Sequence, residues 1–253
     1  VLTIIKEMNL ASARNPVYGS VQHFLERLLV DVAAANYRYF LNDHLSKARQ
    51  AGLRNPQSAC HSPLLENEAQ ISGLFSAALS GFCPVFRPEF PLAGEVDFMV
   101  TYGEREIALE NKQVSVESIT SAAEVVALEK RWKSVVEQSQ RRLALMREDK
   151  VRFRHPISIG LLMVRVSQKV RVAANVSPEE KAEKALQAGL KDFNEGALTL
   201  GGNVKSFARA HFVAKYEFPR EMQIMSGWKR DRRSGGDRVF PGVVFLAHVC
   251  TRV

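Results

Sequence analysis

The chain has 253 residues, 46% of them hydrophobic and 25% charged, with a formal net charge of +8. That is globular composition, at a length that suits one large domain or one domain with an appendage. No apolar run approaches the ~20 residues of a membrane-spanning helix, and the positive balance favours polyanionic partners, nucleic acid above all.

The first residues, "VLTIIKEMNL", lack the charged start, long apolar stretch and small-residue cleavage site of a signal peptide. Residues 18–49 read as a helix, with Phe24, Leu28, Val32 and Tyr39 at helical spacing and Gly52 just beyond. "RNPQSACH" (54–61) reads as a linker, which makes residues 1–61 an N-terminal helical extension. A second helix is expected from Ser62 as N-cap, with Pro63 at its first position, up to Gly81. "CPVFRPEFPLAG" carries three prolines, so a strand there belongs at a sheet edge.

"GEVDFMVTYGEREIALENKQ" (94–113) predicts a hairpin turning near Gly103. Residues 117–148 predict a long polar helix with Trp132, Val136, Ser139, Leu143 and Met146 on its apolar stripe. "HPISIGLLMVRVS" is an uninterrupted apolar run, suited to a strand covered on both faces. "SPEE" (177–180) opens another capped helix, expected to end near Gly196. "ARAHFVAKYEF" and "VFPGVVFLAHV" read as the last strands. A parallel strand after the long helix needs a crossover, which that helix supplies. The expected fold is an α/β sandwich with a mixed central sheet flanked by helices. Residues 62–253 form its domain, with a core at 62–167 and a C-terminal addition at 168–253.

The hairpin carries charge where a core strand should have none. Glu110 and Lys112 share a strand face, roughly 7 Å apart by strand rise. Asp97 comes within cross-strand reach if the register centres on Gly103. A buried unpaired charge costs several kcal/mol, so such groups pair or coordinate metals. One reading is a structural ion pair between Lys112 and one of the acids. The other uses all three: two carboxylates form a hard-oxygen site for Mg²⁺ or Mn²⁺, and the ammonium holds or activates a water and neutralises a phosphate under attack.

"VDFMV" followed by "LENK" resembles the core of the PD-(D/E)xK nuclease superfamily, over residues 62 to about 167, with a helix, three strands, a helix and a strand in the same order. The resemblance implies a restriction-endonuclease-like fold and a Mg²⁺-dependent deoxyribonuclease, with Mn²⁺ able to substitute. By resemblance Asp97 and Glu110 would bind the metal and Lys112 would assist the attacking water. Val96 stands where the family usually has Pro. The family often adds an acid from the first helix, here Glu66 or Glu68; helix phase from Leu64, Ile71, Phe75 and Ala78 selects Glu68. Some branches carry Gln-x-x-x-Tyr on the next helix, whereas Gln138 is followed four residues on by Arg142. Gln138 and Gln140 are expected to be solvated. The rival function is a nucleic-acid-binding or scaffold module of the same fold that does not cleave.

Two basic runs could meet phosphates. "RRLALMREDKVRFR" (141–154) is one; "WKRDRRSGGDR" (228–238) is the other, with Trp228 to stack on a base and Lys229, Arg230, Arg232 and Arg233 to bind the backbone. DNA is the expected partner over RNA, no membrane is, and homo-oligomerisation is left open. Cys60, Cys83 and Cys250 are odd in number and far apart, which suits packing roles in a reducing, cytoplasmic setting. His61, His155 and His211 have no visible catalytic partner and are assigned surface or core roles.

Overall fold

A computed structural model describes residues 1–8, 16–51, 62–65, 68–86, 96–149, 152–170, 177–202, 207–223 and 238–251. The strands are β1 (Leu2–Lys6), β2 (Val85–Phe86), β3 (Phe98–Tyr102), β4 (Arg105–Val116), β5 (Pro156–Lys169), β6 (Phe212–Glu217) and β7 (Arg238–Cys250). The helices are α1 (Pro16–Ala51), α2 (Glu68–Ser80), α3 (Ala122–Glu148), α4 (Pro178–Gly201) and the short α5 (Arg220–Gln223). One seven-stranded sheet runs in the order β1-β6-β7-β5-β4-β3-β2. Among the described residues only β4 and β5 pair in parallel, joined by α3 as the crossover; the other pairs are antiparallel. The fold is therefore α/β with a mixed open sheet, and helices cover both faces. Among the described residues no helix is long and apolar enough to cross a membrane.

Strand alternation sorts the core into two layers. Ile107 and Leu109 of β4, with Ile157, Ile159, Leu161 and Met163 of β5, pack with the buried stripes of α1 and α2. Leu162, Val164 and Val166 point the other way, onto Trp132, Val135 and Val136 of α3 and Phe193 and Ala197 of α4. That double covering is why β5 reads as an unbroken apolar run. The short β2, from the proline-bearing stretch, lies at the sheet edge, where it pairs with β3.

Several boundaries differ from expectation. The N-terminal segment is not a helical appendage, because Leu2–Lys6 pairs with β6, and Phe24, Leu25, Leu28 and Leu29 of α1 join the same core as the sheet. Tyr39 is 52% exposed and off the buried stripe, which continues instead through Asn36 and Phe40. Ser62 does not cap a helix: its hydroxyl donates to the buried Asn36 Oδ1 at 2.9 Å, and Leu64 N–H donates to the same oxygen at 3.2 Å. Pro63–Leu65 is thereby held as a 3-10 turn, and α2 is described over Glu68–Ser80. The cap at Ser177 is as expected, accepting from Glu180 N–H at 3.2 Å, but α4 runs past Gly196 to Gly201. Gly196 marks a close approach and not a stop, since a Cβ there would lie 2.4 Å from the Ile119 side chain.

That approach helps to aim α3. Asp192 of α4 accepts from Ser118 Oγ (2.6 Å), Thr120 Oγ1 (2.5 Å) and Ile119 N–H (2.9 Å), which pins the segment between β4 and α3. The far end of α3 then lies over Val96, Met99 and Ala108, beside the charged hairpin.

Candidate functional site

The β3–β4 hairpin closes through a two-residue turn, with Tyr102 opposite Arg105 and Gly103 at φ 60°, a conformation that suits glycine. This register places Asp97 one residue before β3 and level with Glu110. β4 runs past the start of β3 there, and the Asn111 N–H on that side is taken by Asp97 Oδ2 at 2.6 Å. Asp97 is thus outside the strand it was expected to occupy, yet fixed against β4 by its own side chain.

Of the residues anticipated for the site, Glu110, Lys112 and Glu68 all bear on the Asp97 carboxyl. Burial pushes the half-buried Asp97 carboxyl above its ordinary range. The Asn111 N–H draws it back, Glu110 and Glu68 push it further up, and Lys112 pulls it down. Glu68 sits at the exposed first turn of α2, at the rim of the cluster. Lys112 is partly exposed and makes no ion pair or hydrogen bond among the described residues. The expected alternative, a Lys112–carboxylate pair, is therefore absent among them. Glu66, the other candidate on that segment, lies outside the described residues.

Glu110 is paired with a residue that was not anticipated. It is 4% exposed and Arg142 of α3 is 7% exposed. Arg142 donates through Nη2 at 2.6 Å and Nε at 3.1 Å, both to Glu110 Oε1. No hydrogen bond reaches Oε2, or Oδ1 of Asp97, among the described residues. Arg142 was hidden within a basic run, where it counted as surface charge. Helix phase could have found it, because it lies seven residues after the buried Val135 and three after the buried Ser139. Gln140 is exposed as expected, whereas Gln138, one turn before Arg142, has a buried Oε1 without a partner among the described residues.

The donor set is a pair of carboxylates, Asp97 and Glu110, each with one oxygen that accepts no hydrogen bond among the described residues. Among the described residues no three His, Cys, Asp or Glu side chains gather closely enough to hold a metal on their own. Two hard oxygens beside a like-charged neighbour nonetheless fit a Mg²⁺ or Mn²⁺ ion that fills its other positions with water, the usual habit of Mg²⁺. The surrounding basic run divides: Arg141, Arg147, Arg152 and Arg154 are exposed, with Arg147 on Thr251 O and Arg152 on Asp149. Trp228, Lys229, Arg230, Arg232 and Arg233 lie outside the described residues, as do Cys60 and His61. Cys83 and Cys250 are buried free thiols, consistent with packing.

The same sheet row continues beyond Glu110 to Gly160 of β5 and His248 of β7. His248 stacks on His211 with ring centroids 4.8 Å apart. Val249 N–H donates to His211 Nδ1 at 2.9 Å, and His248 Nδ1 faces Arg209 O at 2.9 Å, so Nδ1 is the donor there. Burial, with help from His248 and Lys6, lowers His211 to about 4 from its ordinary 6.5. A depressed histidine stabilises the fold above its unfolded value and loses that contribution as pH falls from 6.5 to about 4. After discounting for partial exposure of the ring, the expected loss is about 2 kcal/mol. Urea unfolding at about pH 7.5 and about pH 5 measures it. His211→Asn keeps an acceptor for Val249 N–H and should lose less than half as much; an equal loss places the acid sensitivity elsewhere.

No family model, no curated protein and no solved structure shows a significant match to this chain.

Proposed function

We propose that this chain is a metal-dependent nuclease of restriction-endonuclease-like fold that hydrolyses phosphodiester bonds in DNA. The observation that supports it best is the register that sets Asp97 level with Glu110 where β4 outruns β3, with Glu68 and Lys112 near enough to bias the Asp97 carboxyl and Lys112 making no ion pair among the described residues. The order α2, β2, β3, β4, α3, β5 supports the reading, because it repeats the helix, three strands, helix and strand that the resemblance implies. Asp97 and Glu110 would hold Mg²⁺, with Glu68 reaching in from the rim. A bound Mg²⁺ would polarise the phosphodiester and make its water more acidic. Lys112 would orient that water and offset charge on the phosphate, since its ammonium makes no hydrogen bond or ion pair among the described residues. The net charge of +8 favours a polyanion as substrate, and a cytoplasmic setting belongs to the same reading.

One observation favours a second reading. Arg142 neutralises Glu110 with no metal needed, as a catalytically silent nucleic-acid-binding or scaffold module of this fold would require. Incubating the protein with supercoiled plasmid separates the two. Nicking or linearisation is expected with millimolar Mg²⁺ and none with EDTA, and Asp97→Asn should lower the rate by at least about 100-fold. Binding without cleavage selects the silent module, and cleavage unaffected by Asp97→Asn removes the site from the reaction.

A further inference from the structure

We propose that Arg142 is the resident counter-ion of Glu110 and that a divalent cation competes with it for that carboxylate, so that one arginine gates metal occupancy. This deepens the nuclease reading and rests on its metal site. Arg142 and Glu110 are both almost fully buried, and two N–H groups of the one converge on a single oxygen of the other. A carboxylate at this depth is not left charged without a partner, and a guanidinium cannot retire by losing its proton. Lys112 lies two residues further along the same face of β4 and could have served as counter-ion, yet it makes no ion pair among the described residues. Beside its acids the strand therefore has one cation paired with Glu110 and one, Lys112, with no ion pair among the described residues. A dication at Glu110 Oε2 would face the guanidinium charge across a single carboxylate, where water screens little, and the repulsion opposes binding. A phosphodiester drawn to Lys112 and the metal would supply the negative charge that offsets it.

Thermal melting of the whole chain in EDTA and in increasing Mn²⁺, as wild type and as Arg142→Gln, tests the proposal. In EDTA the variant should melt below wild type, because Glu110 is orphaned. Mn²⁺ should raise its melting temperature by more than it raises that of wild type, with a half-saturating concentration about tenfold lower or less. A purely structural arginine would leave a deficit that Mn²⁺ does not correct preferentially. Equal shifts, or a larger one in wild type, overturn the gate and leave the metal site standing. A wild type that Mn²⁺ does not move overturns the metal-site reading and the gate with it. The double variant Glu110→Gln/Arg142→Gln must lose the preferential rescue; if it persists, the ion acts elsewhere and the proposal fails. Should Arg142→Gln not fold, Arg142→Lys offers Glu110 a less firmly seated cation, and its half-saturating Mn²⁺ should still fall below that of wild type; a rise overturns the proposal.

Discussion

Replacing Lys112 with alanine is expected to lower plasmid cleavage by about 10²–10⁴-fold, the range for a positioned proton-transfer group, while stability changes by less than about 1 kcal/mol. The pairing around Glu110 makes this a sharp expectation. Had Lys112 been the partner of a buried acid, its removal would have left an uncompensated charge, at about 3–5 kcal/mol. Arg142 holds Glu110 instead, and Lys112 is partly exposed with no ion pair among the described residues. Little in the fold therefore depends on its ammonium, which frees the substitution to report on chemistry. Urea unfolding and a cleavage time course on the same preparation give the two numbers. A stable variant that still cuts removes Lys112 from the mechanism. A variant destabilised by several kcal/mol shows instead that its charge serves the fold.

Short-range physics explains which parts of this arrangement could be read from the residues. The glycine turn sets the hairpin register, and the register sets Asp97 against Glu110 two strands' depth from the edge. The stripe of Trp132, Val136, Ser139, Leu143 and Met146 is buried as its spacing implies. What escaped reading depends on partners distant in the chain. "LTIIK" is too short to declare itself a strand, and its partner β6 lies some two hundred residues on. The 3-10 turn at Pro63–Leu65 is held by Asn36, whose side chain takes Ser62 and Leu64 from a different helix. Helix phase counted from Leu64 started in a 3-10 turn, and Glu68 is an exposed residue in the first turn of α2 and not against the sheet. Gly196 looked like a helix stop because only the folded chain brings Ile119 against it. Arg142 was missed for another reason: counting the sign of a charge run ignores the helix face on which each charge lies.

Gly160→Ala is expected to destabilise the protein by about 3 kcal/mol, at the upper end of ordinary overpacking, and to lower cleavage with it. Gly160 stands beside Glu110 in the parallel register of β4 and β5. A Cβ there would lie 2.6 Å from Val135 Cγ1, 2.9 Å from the Val135 carbonyl oxygen and 3.2 Å from Ser139 Cβ. The side chain of Val135 could turn away, but the carbonyl oxygen belongs to the helix backbone and moves only with α3. The missing Cβ thus sets how closely α3 lies on the sheet at the level where Arg142, one turn beyond Ser139, reaches Glu110. Lifting α3 would stretch that ion pair and leave both charges poorly compensated, so stability and site geometry should fail together. Gly73→Ala in α2 is the matched control, because nothing lies within 4 Å of its added Cβ. In an exposed helix interior that change should stabilise by about 0.5–1 kcal/mol. Urea unfolding of the two variants then reads the same methyl group with opposite signs. If Gly160→Ala is as stable as wild type, α3 has room to spare and its height over Glu110 is set by something other than this glycine. If it is destabilised yet cleaves at the wild-type rate, the spacing matters to packing alone and the Arg142–Glu110 geometry is not what cleavage needs.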